Sequence, residues 1–136
     1  MAKRSIAVVV AGVLAATPLS AHHSTAEFDY SKTVILKGTI KELQWTNPHS
    51  YVQVMVPKAG GAFDQWGIEI GAPAINVGMG WRKNSVKAGD EVTLNLAPAR
   101  DGRLFGTLRT LTFADGRTLN GVAARVSPTK KTYSSQ

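Results

Sequence analysis

Three histidines and one glutamate are the side chains whose type and placement suggest chemistry. The chain holds three histidines in all. His22 and His23 are adjacent near the N-terminus, and His49 lies in the run Trp45-Thr46-Asn47-Pro48-His49-Ser50. Neutral imidazole is the commonest protein ligand for late first-row metals. A histidine at a free N-terminus can add its α-amine, so that one residue offers two nitrogens to a single ion. His22, His23 and His49 would then form a nitrogen-rich copper or zinc site, with Glu69 as an oxygen ligand. Plainer uses fit the same residues: a solvated tail for His22 and His23, a shaped turn for His49, and for Glu69 an exposed carboxylate or a salt bridge to Lys37 or Lys41. Met55 and Met79 are soft but isolated, and isolated methionines fill gaps.

The chelate needs His22 to become a terminus. Lys3 and Arg4 precede the apolar run 6–16, and Thr17, Pro18, Leu19, Ser20 and Ala21 follow. A basic start, a short apolar centre and a small-residue exit make a secretion signal, with cleavage expected after Ala21. The apolar run is far shorter than the roughly 20 residues a spanning helix needs, so no membrane anchor is expected. Residues 1–21 are therefore read as signal, and the destination as periplasmic or secreted. The remaining ~115 residues suffice for one modest core. With no cysteine, no disulfide can supplement that core even in an oxidising compartment. The formal charge of +7 favours an anionic partner. Its lysines and arginines are scattered rather than clustered, and nucleic acid is not an expected partner.

The positioning elements follow from hydrophobic period. Residues 22–32 are polar with Phe28 and Tyr30 embedded, an N-terminal segment that docks by its aromatics. In 33–45, Val34, Leu36 and Ile40 share one face, while Lys37, Thr39 and Lys41 share the other, which predicts a first strand. After the Thr46-Asn47-Pro48 turn, Ser50, Val52, Val54 and Val56 alternate with His49, Tyr51, Gln53 and Met55, the valines facing the core. In a third strand, 65–71, Trp66, Ile68 and Ile70 alternate with Gly67, Glu69 and Gly71. The two glycines leave room above the sheet beside Glu69. Antiparallel pairing of the second and third strands would bring His49 near Glu69 or Gly71. Pro73 opens a short helix that Gly78 and Gly80 end. Two further strands follow at 92–97 and 104–113, the second placing Leu104, Gly106, Leu108 and Thr110 opposite Phe105, Thr107, Arg109 and Leu111. Residues 33–120 thus form the domain, and 121–136 a flexible basic tail. Three strands, a short helix and two strands give an all-β fold, an OB-like five-stranded barrel; the alternative is an open β-sandwich.

Several separated motifs, His22-His23-Ser24, Phe28, Trp45-Thr46-Asn47-Pro48-His49-Ser50, Trp66 with Ile68-Glu69, Gly71-Ala72-Pro73, Gly80-Trp81 and Gly89-Asp90, make the chain resemble a family of small secreted bacterial proteins classed only as a domain of unknown function (DUF6152). The resemblance implies an exported bacterial protein and carries no activity to transfer. No cysteine nucleophile, Gly-x-Ser-x-Gly elbow, His-Glu-x-x-His helix or phosphate-cradling loop occurs, so binding is expected rather than catalysis. Two binding roles stand open: copper or zinc on the histidines, or a peptide, glycan or other anionic partner on the barrel face. Trp45, Trp66 and Trp81 suit core packing better than an aromatic surface.

Overall fold

A computed structural model describes residues 27–126. The strands are β1 (Val34–Gln44), β2 (Ser50–Pro57), β3 (Phe63–Gly71), β4 (Glu91–Pro98), β5 (Phe105–Phe113) and the short β6 (Thr118–Asn120), with helix α1 (Pro73–Gly78) between β3 and β4. Sheet order is β3-β2-β1-β4-β5-β6, and a further pairing joins β3 to β5. That contact is parallel, Gly67 to Phe105, Ile68 to Gly106 and Glu69 to Thr107. It closes the first five strands into a mixed barrel of OB type, so the sandwich alternative does not apply. β6 lies beyond the expected strands and extends β5 as a hairpin.

The predicted core faces hold along β1 to β4, up to the register shifts at Lys41 and Ile70. Val52, Val54, Ile68, Ile70 and Leu94 have no exposed surface, and Val92 is nearly as deep, whereas Lys37 and Lys41 face water. Trp66 is half-buried against the same core. Gln53 is half-buried rather than open, since its outward amide sits between those of Gln44 and Gln65. Trp81, on the connection from α1 to β4, is fully buried in the core, and its indole N–H donates to the Asn120 carbonyl at 2.7 Å.

Strict alternation fails in β5. Leu108 and Leu111, predicted for opposite faces, are both fully buried in the core. Opposite β4, the register steps from Asn95–Thr110 to Leu96–Leu108, leaving Arg109 as one extra residue. This β-bulge reverses the facing of the strand. Equivalent shifts leave Lys41 in β1 and Ile70 in β3 as extra residues; bends of this sort let a twisted sheet curl shut.

Two pieces cover the outside of the barrel. Before β1, Phe28 is fully buried and forms an isolated bridge with Ala99. After β6, a 3-10 turn, Val122–Arg125, packs Ala123 out of solvent. Among the described residues, no helix is long and apolar enough to cross a membrane.

Ile68→Ala should cost about 2–5 kcal/mol, because it empties space in the barrel interior. Lys41→Ala should change stability by less than about 0.5 kcal/mol. Urea unfolding of both variants measures the difference, and equal effects would place Ile68 outside the core.

Candidate functional site

His49 ends the turn between β1 and β2. The turn is held locally: the Thr46 hydroxyl donates to the His49 carbonyl at 2.7 Å, and the Ser50 hydroxyl to the Thr46 carbonyl at 3.2 Å. Because Ser50, Val52 and Val54 point inward, His49 falls in phase with the outward Tyr51 and Gln53. On the neighbouring strand, Glu69 pairs in register with Tyr51. The hairpin brings the two candidates together, with His49 Nδ1 3.1 Å from Glu69 Oε2.

Glu69 is neither the exposed carboxylate nor the partner of Lys37 or Lys41 that the sequence allowed. It is only 6 % exposed, and its flanking glycines explain why. A Cβ on Gly67 would lie 2.9 Å from the Phe105 ring, and one on Gly71 would lie 2.8 Å from a Val122 methyl and 3.0 Å from Asn76 Oδ1. Gly71 also has φ +114, a conformation that disfavours any side chain. The room beside Glu69 is therefore taken by the protein's own side chains, with Phe105 on one flank and Val122 and Asn76 on the other. Burial raises the pKa of the Glu69 carboxyl above its ordinary 4.5, and nearby His49 opposes that shift. The Tyr51 and Tyr30 hydroxyls are also pushed up, first by burial and then by the Glu69 charge.

The His49–Glu69 pair stands between two concavities. A cleft of about 510 Å³ is lined by Glu27, Gln44, His49, Tyr51, Gln53, Glu69, Arg103 and Phe105. A smaller one of about 250 Å³, on the other flank, includes Tyr30, Pro48, Gly71 and Val122. The chain belongs to DUF6152, a family of unknown function. Residues 9–109 match the family, so the matched stretch contains every residue of the pair and its immediate cleft. No curated protein and no solved structure matches the chain. For this DUF6152 domain, chemistry has to be read from its own geometry.

Of the four residues expected to hold a metal, His49 and Glu69 come together, whereas His22 and His23 lie outside the described residues. Among the described residues, no group of three or more His, Asp or Glu side chains is placed to hold an ion. Arg109 escaped the sequence reading. Its guanidinium is nearly buried and donates to the carbonyls of Lys32 at 2.9 Å and Tyr30 at 2.8 Å, and to the Thr33 hydroxyl at 2.9 Å. An arginine on the face opposite Leu108 was the only sequence signal. Phe28 completes the attachment of this segment, its ring stacked on Phe105 with centroids 5.7 Å apart and edge-on to Tyr30 at 6.4 Å. Both aromatics thus anchor the N-terminal segment, as expected, and bring Glu27 to the wall of the larger cleft.

Two outcomes follow for DUF6152. A carboxyl with a raised folded-state pKa contributes stability that is fully present below the unfolded value and lost as pH rises through the folded value. Wild-type stability should therefore gain a component, as pH falls toward the ordinary 4.5, that Glu69→Gln lacks. Urea unfolding at several pH values gives the two slopes, and parallel slopes would contradict the burial effect. Arg109→Ala should cost about 1.5–3 kcal/mol, the scale of hydrogen bonds to a charged group. Amide exchange should quicken at Asp29 and Arg100, whose N–H groups tie the N-terminal segment to the barrel; unchanged exchange would assign the anchoring to Phe28 alone.

Proposed function

We propose that this domain is an exported binding protein that holds copper or zinc on His49 together with His22, His23 and the α-amine freed by signal cleavage. The observation that carries the reading is the position of Glu27, which lines the same cleft as His49 and Glu69. His23 lies four residues earlier in the chain, at most about 14 Å of extended backbone. That length limits how far both N-terminal histidines can stray from the cleft.

The His49–Glu69 pair suits the role. Metal-bound histidines commonly engage a carboxylate through the second ring nitrogen, which fixes the tautomer and strengthens the ligand. With Nδ1 beside Glu69, Nε2 is the nitrogen left for an ion. Glu69 then acts by orienting His49; as an oxygen ligand it would have to share its carboxylate between the ion and the ring. Export rests on the basic, apolar and small-residue pattern of residues 1–21.

The test is calorimetric titration of Cu(II) and Zn(II) into protein beginning at His22. His49→Ala, or acetylation of the terminal amine, should each weaken binding by at least about ten-fold. Affinity should fall as pH is lowered, since metal must compete with protons for its ligands. Affinity that both changes leave intact would reject the metal role. The mass of the protein exported with its own signal tests the cleavage after Ala21.

A second reading is a ligand held without metal on the outer face of β2 and β3, a peptide, a glycan or another anionic partner. The 510 Å³ cleft favours it, because its volume suits small-molecule binding. OB barrels also bind ligands on this face, between the β1–β2 and β4–β5 loops.

A further inference from the structure

We propose that the larger cleft is a subsite for a neutral sugar ring, a pyranose at the end of a glycan or within it. The inference rests on the metal-free reading of the β2–β3 face and assigns its ligand class. The cleft has an apolar floor and a polar perimeter. Tyr51 and Phe105 form the floor, their ring centroids 6.0 Å apart and their planes inclined at 40°. Around them stand the amides of Gln44 and Gln53, the His49 ring and the carboxylate of Glu69. Arg103 lies over Phe105, 5.1 Å from its centroid, so Tyr51 is the ring left to receive a ligand. A pyranose matches this layout, since its C–H face can rest on an aromatic ring while its equatorial hydroxyls, each a donor and an acceptor, meet amides and carboxylates at the edge.

The other classes fit less well on the same observations. A flat aromatic ligand needs parallel walls, and these rings are inclined. A purely apolar ligand would displace water from the perimeter groups without filling the hydrogen-bonding positions that their mutual contacts leave open, which is costly. A peptide added as a strand needs a free sheet edge. Here Tyr51 is paired on both sides, with Gln44 and with Glu69, and Gly67 and Glu69 are likewise paired with β2 and β5. A phosphate needs an available cation, but Arg103 already pairs with Glu27 and Asp101, and two carboxylates face the cleft against that one guanidinium. A neutral ligand suits this balance of charge.

The experiment is ¹⁵N NMR of the signal-free chain, with EDTA present to remove metals, titrated with cellobiose, maltose and chitobiose. Tri-alanine and the dinucleotide dTpdT are titrated in parallel. The expected result is shifts from at least one sugar at Gln44, His49, Tyr51 and Gln53. Tyr51→Ala should weaken binding about ten-fold, Tyr51→Phe should preserve it, and Gln53→Ala should weaken it a few-fold. Cleft shifts from tri-alanine or dTpdT and none from any sugar would overturn the sugar assignment and leave the metal-free reading standing. No shift with any probe would overturn both. Sugar binding that Tyr51→Ala and Gln53→Ala leave unchanged, in variants whose spectra stay folded, would place the sugar elsewhere and equally overturn the proposal.

Discussion

The parallel contact between β3 and β5 is only three residue pairs long, yet it sets both the inside and the outside of the molecule. On the inner face it sets Ile68 beside Gly106, where a Cβ would lie 2.4 Å from a Leu96 methyl. The core can fill that corner only because Gly106 has no side chain. On the outer face the same register lays Phe105 over Gly67 and Thr107 beside Glu69. Phe105 then supports Phe28, and Phe28 brings the N-terminal segment to the cleft. Barrel closure and assembly of the site are thus one event. A one-residue slip in this contact would turn every side chain to the wrong face.

Glu69 and Arg109 are both nearly buried on that outer layer, and the fold treats the two charges differently. Taking an ion out of water costs several kcal/mol even after relaxation. Glu69 is compensated by an imidazole that is itself a third exposed. Arg109 is compensated by backbone carbonyls and one hydroxyl, while its Nε–H has no partner. Carbonyl acceptors do not titrate, whereas the Glu69 carboxyl, its pKa raised by burial, can gain a proton. The attachment is fixed, and the pair it leads to is adjustable.

Much of this was legible in local sequence. Alternation placed Val52, Val54, Ile68 and Ile70 correctly, and the expected antiparallel pairing of the second and third strands is what brings His49 to Glu69. Phe28 and Tyr30, aromatics in a polar stretch, signalled docking. The remainder depends on contacts between residues distant in sequence. Nothing near Glu69 announces its burial, because Phe105 and Val122 arrive from β5 and from beyond β6. The glycines beside it marked a close approach, and what approaches proved to be protein. The Arg109 bulge was hidden for a related reason: Leu108 and Leu111 are three apart, a spacing that fits neither face of a regular strand, and only pairing with Leu94 and Leu96 resolves it.

Stability alone does not account for the outer layer. Buried ionic groups are weak contributors, and apolar replacements of similar volume are often neutral or better. A barrel with fourteen of its described residues in a buried hydrophobic cluster does not need Glu69 to hold its strands together. Glu69 raises the free energy of the fold by its burial, and part of that cost is offset only while His49 stands beside it. The pairing in turn fixes the direction of the imidazole, leaving one ring nitrogen and a third of the side-chain surface open where the cleft, the turn and the N-terminal segment meet. A histidine oriented from beneath by a buried carboxylate and open above presents a ring nitrogen in one fixed direction, a feature that strand packing alone does not call for.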